Sequence, residues 1–188
     1  MVYNIPLTQT KANMNSKDLG SSAYVVLGLT LQHVEITPYE LKQRIATSIG
    51  YFWAYSHPQI YAVTERLRNE GFLSQRQEKT GRRRKIYKVT KSGEMAFRSW
   101  LTDPVNAHPE LRDTALLKLY FGNFSSKRDV QALATAQVNS HKTRLELYKS
   151  IPKERNLDEF ALKTVQLGIE FEKMSGKYWA KVVSDFTD

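Results

Sequence analysis

The spacing of apolar residues in the N-terminal part of the chain predicts short helices. A nearly continuous apolar run over residues 23–31, capped by Ser21 or Ser22, is typical of a helix at the centre of a small core. A second amphipathic helix begins at Thr37, which is followed by a proline suited to the first helical turn, and ends at Gly50. Two helices therefore precede a connecting segment, residues 51–55, that is rich in aromatic side chains.

A third helix and a hairpin follow. Ser56 and a nearby proline open the helix, and apolar positions three and four residues apart give it one buried stripe before Gly71 ends it. Residues 72–78 and 84–89 alternate as two strands around a turn at 79–82, and the next helix begins after a threonine cap. Three helices followed by a β-hairpin indicate a winged helix-turn-helix.

Two prolines within residues 103–109 break the helical pattern and mark a domain boundary. We predict a flexible arm over residues 1–16, a winged helix-turn-helix domain over 17–102, a linker over 103–109 and a helical domain over 110–188. The fold class is mostly α with a small β-hairpin wing, plus a C-terminal α-helical dimerisation domain. One C-terminal helix is expected to end at the Ile151-Pro152 pair.

The last predicted helix, residues 157–186, carries more apolar surface than two neighbouring helices can cover. One of its stripes has the 3-4 spacing of a helix-packing seam. We predict that this seam forms a homodimer; the alternative is a monomer in which these helices fold back on the first domain. The seam consists of Leu157, Phe160, Leu167, Phe171, Met174 and Tyr178.

Positive charge is concentrated in the N-terminal half. The 188 residues have a net charge of +9, and residues 17–101 contain 14 Lys and Arg against 7 Asp and Glu. Residues 102–188 are nearly balanced, with 13 against 12. Such an excess favours an acidic partner. Three classes of partner are open on this evidence: nucleic acid, an anionic membrane and an acidic protein.

Four consecutive cations lie at the predicted tip and second strand of the hairpin. They are Arg82, Arg83, Arg84 and Lys85. Beside a DNA-binding helix they are expected to contact phosphates, with one arginine suited to a narrow minor groove. The alternative is a solvated surface, and strand alternation sends Arg84 and Lys85 to opposite faces.

The sequence also argues against several classes of protein. It has no cysteine, no apolar run that spans a bilayer and no secretory leader over residues 1–17, so a cytoplasmic protein is expected. Phosphate-binding loops, nucleophile elbows and metalloprotease motifs are absent, which indicates that it is not an enzyme. The four histidines lack metal-ligand spacing, and no cofactor is predicted.

Several short motifs, in this order, resemble the PadR family of winged-helix transcriptional regulators. The similarity covers most of residues 23–101, and the tail resembles the longer C-terminal domain that a PadR subgroup shares with virulence activators. The motifs are Tyr24 to Leu29, Thr37 to Leu41, Phe52-Trp53, Gln59-Ile60-Tyr61, Leu67, Glu70-Gly71-Phe72, Tyr87, Thr90, Gly93 and Trp100-Leu101, then Glu110 to Asp113 and Leu117 to Phe121.

The resemblance implies a homodimer that binds a palindromic operator in double-stranded DNA, usually as a repressor. In several members a small, often aromatic, molecule releases the DNA. Two positions differ from the family pattern: Thr37-Pro38-Tyr39 stands where Ser-Gly-Tyr is common, and Ala62 stands where proline is common. The second difference affects base contacts inferred by family analogy.

The third helix supplies the predicted base contacts. Its period places Ala62 outward, with Gln59 and Tyr61 on the flanks, where an amide suits adenine and a hydroxyl suits phosphate. The alternatives are a helix-capping role for Gln59 and a partly buried ring for Tyr61. The remaining predicted DNA contacts are Thr37, Ser56, His57 and Arg66.

Three tryptophans are candidates for stacking on an aromatic effector: Trp53, Trp100 and Trp179. The alternative is that they are ordinary core or interface residues. A different function also stays open, in which the basic half docks an acidic protein and the helical half senses a small molecule.

Overall fold

The computed structural model describes residues 19–53, 56–79, 83–107, 110–154 and 157–187. The predicted arm over residues 1–16 lies outside this part of the chain. The protein divides into an N-terminal unit that ends at Asn106 and a C-terminal unit that begins at Ala107. Each unit has its own hydrophobic core.

The described part of the N-terminal unit contains four α-helices and one hairpin, which confirms the predicted fold class. The hairpin is antiparallel, with Leu73 opposite Val89 and Gln77 opposite Lys85. A single bridge from Ile36 to Tyr87 adds a third short segment to it. In chain order the elements are α1 (Ser21–His33), α2 (Pro38–Ala46), a 3-10 turn (Ile49–Tyr51), α3 (His57–Asn69), β1 (Leu73–Gln77), β2 (Lys85–Val89) and α4 (Lys91–Thr102).

Local signals account for most helix starts. Thr37 and Glu40 form a capping box, in which the Glu40 N–H donates to Thr37 Oγ1 at 3.2 Å and the Thr37 N–H donates to Glu40 Oε2 at 2.8 Å. Thr90 caps α4 by accepting the Gly93 N–H at 3.2 Å. The predicted cap of α1 was wrong: Gly20 holds that position at a φ of 77°, and Ser21 and Ser22 lie inside the first turn.

The end of α2 also differs from the prediction. The helix ends at Ala46, before Gly50, and the chain tightens into the 3-10 turn. The Thr47 hydroxyl donates to the Gln43 carbonyl at 3.0 Å, and the Ser48 hydroxyl donates to the Arg44 carbonyl at 2.6 Å. These side chains satisfy carbonyls at the end of the helix, so it ends without a glycine.

The core of the N-terminal unit is built around α1, as its apolar run predicted. Ala23 and Leu27 on α1 are completely buried, and so is Leu67 on α3. Helices α2, α3 and α4 and strand β2 all pack against α1. This arrangement fixes one face of α3 in the core and leaves its other face outward.

The C-terminal unit is helical, as predicted. Its core joins Ala115, Val130, Ala134, Trp179 and Val182. No helix among the described residues is both long and apolar enough to span a membrane. The elements are α5 (Thr114–Tyr120), a 3-10 turn (Gly122–Phe124), α6 (Lys127–Glu154) and α7 (Glu159–Asp185).

Helix α6 does not end at Ile151-Pro152 as predicted, because it continues through Pro152 to Glu154. Proline removes its own N–H from the helical ladder and crowds the carbonyl four residues earlier, but the helix needs to continue for only two residues beyond Pro152. The expected break therefore appears a few residues later than the proline itself.

A buried carboxylate links α6 to α7. Glu172 on α7 is 3% exposed and accepts hydrogen bonds from His141 Nδ1 at 2.5 Å and Arg144 Nε at 3.0 Å. Arg144 also lies 5.8 Å from the centre of the Tyr148 ring. Because a buried carboxylate is costly without such partners, Glu172 favours the packing of α6 and α7 that keeps His141 and Arg144 beside it.

Candidate nucleic-acid interface

Helix α3 presents its N-terminal half to solvent on one face. Ile60 and Leu67 are buried at 3% and 0% exposure, whereas Gln59, Tyr61 and Ala62 are exposed. The outward position predicted for Ala62 is confirmed. An exposed amide, a phenol and a small methyl group within about one turn of a helix are suited to the edges and backbone of a DNA groove.

Several of the residues predicted to contact DNA form hydrogen bonds within the protein. Gln59 Nε2 donates to Ser22 Oγ at 3.1 Å, which ties α3 to α1, and Arg66 Nη2 donates to the Leu19 carbonyl at 2.7 Å. The Thr37 hydroxyl is used in the capping box, whereas Ser56 makes no side-chain cap and is exposed. The side chain of His57 is outside the described set.

The predicted basic run is largely paired with carboxylates. Arg84 Nη2 lies 2.7 Å from Glu78 Oε1, and Lys85 Nζ lies 3.0 Å from Glu65 Oε1. Arg83 is exposed, adopts a φ of 47° and forms none of the ion pairs found among the described residues. Arg82 lies outside the described residues. Of the three described cations, Arg83 is therefore the one without a local carboxylate.

Glu65 joins the third helix to the wing. One of its oxygens accepts from Lys85 Nζ and from the Tyr87 hydroxyl, and the other accepts from Arg68 Nε at 3.0 Å. These donors, the Tyr87 hydroxyl first, lower the pKa of Glu65 to about 2. Burial, followed by the bond to Glu65, raises the pKa of Tyr87.

The sequence assigned no role to Glu65. Its partners Lys85 and Tyr87 lie on β2, about twenty residues away along the chain, so neither helical period nor strand alternation brings them together. An acidic residue on an otherwise basic surface was the one available signal.

The low pKa of Glu65 predicts an acid-sensitive contribution to stability. A carboxyl with a folded pKa near 2 and an ordinary value of 4.5 stabilises the fold above pH 4.5, and this contribution is lost as pH falls towards 2. Because its side chain is 37% exposed, we expect about 1–2 kcal/mol after allowance for solvent screening. Urea unfolding at neutral pH and near pH 3 should show a smaller acid loss in Glu65→Gln than in the wild type.

The matched variant is Glu94→Gln, which makes the same change in charge on α4 and leaves Glu65 intact. It should lose as much stability on acidification as the wild type. Equal acid losses in the wild type and Glu65→Gln would contradict this account of Glu65.

The three candidate effector tryptophans have different surroundings. Trp53 is half exposed, and Trp100 stacks on Tyr24 with ring centres 4.5 Å apart and planes inclined by 7°. Trp179 is 2% exposed within the C-terminal core. Trp53 and Trp100 retain accessible ring surface, whereas the Trp179 ring is already covered by its own unit.

The predicted seam of α7 is solvent-exposed within the C-terminal unit. Phe160 and Leu167 are 75% and 73% exposed, and Leu157 is partly buried. The adjacent side of α7 packs on α6 through Trp179 and Val182. The stripe is completed by three further exposed side chains, Phe171, Met174 and Tyr178.

The part of the chain that the structure describes contains no group of three His, Asp or Glu residues arranged to hold a metal ion. His141 is engaged with Glu172. The described site is therefore one of exposed polar groups and cations on a helix and a hairpin.

Comparison with known proteins matches both units to family models. Residues 26–99 match the transcriptional regulator PadR-like family, and residues 111–184 match the virulence activator alpha C-terminal family. The first match runs from within α1 to within α4 and includes the wing, and the second runs from before α5 almost to the end of α7.

Individual relatives give the same result. The negative transcriptional regulator PadR of Bacillus subtilis is 29% identical over 124 residues, which cover 65% of this chain and 68% of that protein. The crystal structure of B. subtilis PadR in complex with operator DNA has a TM-score of 0.78 and 25% identity, covering 88% of this chain and 98% of that one. Its complex with p-coumaric acid has a TM-score of 0.75 and 22% identity, covering 93% and 99%.

The family matches follow the same order as the observed elements, from the winged helix to the long C-terminal helices. The matched PadR-like family and the B. subtilis relative are transcriptional regulators and not enzymes. The chain is therefore a transcriptional regulator of PadR type: its winged helix-turn-helix unit matches the PadR-like family, and its helical unit matches the C-terminal family of virulence activators.

Proposed function

We propose that this protein is a cytoplasmic, homodimeric repressor that binds a palindromic operator and leaves it when a small aromatic effector binds. The observation that carries the proposal is the exposed N-terminal face of α3, with Gln59, Tyr61 and Ala62, on the same unit as a cation-rich strand. The B. subtilis relative of similar fold was crystallised with operator DNA.

In this proposal α3 reads bases in the major groove. The Gln59 amide pairs with an adenine edge by exchanging its exposed bond to Ser22, and Ala62 packs on a thymine methyl group. The Tyr61 hydroxyl and the exposed Ser56 contact phosphates near the helix start, where backbone N–H groups also favour an anion. These contacts set sequence preference and register.

The stripe on α7 supplies the dimer in this proposal. In a two-fold interface the same surface of each subunit contacts its copy. The exposed apolar side chains of one α7 would therefore pack against those of the second α7. Two α3 helices in successive major grooves would lie about 34 Å apart, so the operator should contain two inverted half-sites about one helical turn apart.

The proposed effector is a small aromatic acid, because the B. subtilis relative was crystallised with p-coumaric acid. The exposed faces of Trp53 and Trp100 offer surface for stacking. Titration of the protein–DNA complex with phenolic acids should release DNA. Lack of release by any aromatic acid would remove this part of the proposal.

The main experiment selects duplexes from a random-sequence library with the full-length protein. Enrichment of an inverted repeat, and its protection in a footprint, would support a regulator that reads DNA sequence. Uniformly weak binding that salt abolishes would instead favour the alternative in which the basic half docks an acidic protein.

Arg83→Ala should weaken binding to the selected duplex and to random DNA by similar factors. Arg83 is exposed and has no carboxylate partner among the described residues, so its loss removes a phosphate contact without freeing an anion. The slope of log K against log salt should become shallower by about 0.9. Binding titrations across a salt series measure both quantities.

The matched control is Lys181→Ala, which removes one exposed cation from α7 and should leave the slope unchanged. If Arg83→Ala and Lys181→Ala gave equal slopes, the wing would have no part in phosphate binding.

A further inference from the structure

The Glu65 carboxylate is held in place by a donor that is not a cation. The Tyr87 hydroxyl donates to it, and Tyr87 is itself 1% exposed. The backbone of Tyr87 is fixed as well, because its N–H donates to the Ile36 carbonyl at 2.9 Å and its carbonyl accepts the Ile36 N–H at 3.0 Å. Glu65 therefore keeps its position whether or not its cationic partners remain bound.

Two cations share this fixed carboxylate. Lys85 Nζ and Arg68 Nε each lie 3.0 Å from it, and both side chains are at least 40% exposed. A DNA phosphate can reach them only in competition with Glu65. Each cation that stays with Glu65 fails to neutralise a phosphate, which lowers the salt slope of binding by up to about 0.9.

This competition acts differently on specific and random DNA. A random duplex offers phosphates but few base contacts to α3, so little compensates for separating Lys85 or Arg68 from Glu65. A matching site adds base contacts that hold the wing against the duplex. A penalty on binding by charge alone raises the ratio of specific to random affinity.

We propose that Glu65 is a specificity-determining residue, an internal counter-anion that withholds Lys85 and Arg68 from the phosphates of random DNA. The proposal rests on the DNA-binding function proposed above. It differs from the pairing of Glu78 with Arg84, which lies within the hairpin and does not involve α3.

The test uses the full-length protein with two probes of equal length: the duplex selected from the random library and a scrambled version of it. Glu65→Gln should bind the scrambled duplex about ten-fold more tightly, and its salt slope should steepen by about 1 to 2. The selected duplex should gain less, so the specificity ratio should fall. Glutamine keeps an acceptor for the Tyr87 hydroxyl, so the wing stays in place.

Glu94→Gln is the matched control, since it changes net charge equally but releases Arg98 on α4. It should keep the wild-type ratio, and an equal fall in both variants would overturn the proposal. Tyr87→Phe keeps the charge of Glu65 but removes the hydroxyl that fixes its carboxylate, so the slope should steepen by clearly less than in Glu65→Gln. If Tyr87→Phe reproduced the slope of Glu65→Gln, Glu65 would act by positioning the wing rather than as a counter-anion.

Lys85→Gln tests the same idea without altering Glu65. Because Lys85 is already neutralised, its loss should change the salt slope on scrambled DNA by much less than the loss of Arg83. A full decrease of about 0.9 would overturn the proposal. Failure of the wild type to distinguish the selected from the scrambled duplex would instead refute the proposed function.

Discussion

Replacing Leu167 and Phe171 together by glutamate is expected to convert the proposed dimer to a monomer. Both side chains are exposed within the C-terminal unit, at 73% and 44%, so the unit itself should still fold. Burying two such side chains stabilises an interface by about 1.5–3 kcal/mol each, and two carboxylates facing their copies add repulsion. The dimer dissociation constant should rise at least about 100-fold.

Loss of the dimer should also weaken operator binding. A monomer engages one half-site at a time and loses the gain in effective concentration that links the two half-sites. Sedimentation velocity would measure the oligomeric state, and binding titrations on the selected duplex would measure the affinity. Binding to a single isolated half-site should change little.

The matched control places two glutamates on the solvent side of the same helix, as Gln166→Glu with Ala180→Glu, since both positions are exposed. This variant adds the same charge and should remain a dimer. If Leu167→Glu with Phe171→Glu stayed dimeric at the wild-type affinity, the seam would not be the dimer interface.

The helix starts and the hairpin could be predicted from sequence because their causes are local. The Thr37 and Thr90 caps use residues within one helical turn, and the strands of the wing follow a simple alternation. The exposed seam on α7 was also visible, since the helical period separates its two apolar sides. The errors were local as well: Gly20 caps α1, and α6 passes through Pro152.

The ion pairs of the site could not be predicted in the same way. The basic run looked like four free cations, but Arg84 and Lys85 are paired with Glu78 and Glu65. Those pairs depend on the register of the hairpin and on how it packs against α3, and both are set by tertiary structure. The buried Glu172 on α7 is a second example, because its partners lie about thirty residues away on α6.

Gly93→Ala is expected to destabilise the N-terminal unit strongly. A Cβ atom at this position would lie 2.2 Å from the Phe72 carbonyl oxygen and 2.9 Å from Val89 Cγ1. The Phe72 carbonyl cannot move freely, because it accepts the Thr90 N–H at 3.0 Å at the junction of the wing and α4. We expect a loss of about 3 kcal/mol or more in the free energy of unfolding, and a melting temperature lower by about 10 °C or more.

Ser92→Ala separates this steric effect from the helix propensity of the first turn. Ser92 is exposed beside Gly93, so its replacement should change the free energy of unfolding by less than about 0.5 kcal/mol. In an open helical position Gly→Ala is stabilising, so the sign of the Gly93 effect reports the close contact directly. A Gly93→Ala protein as stable as the wild type would mean that α4 does not meet the start of β1 this closely, and the wing would lack the rigid base that its proposed contacts with DNA require.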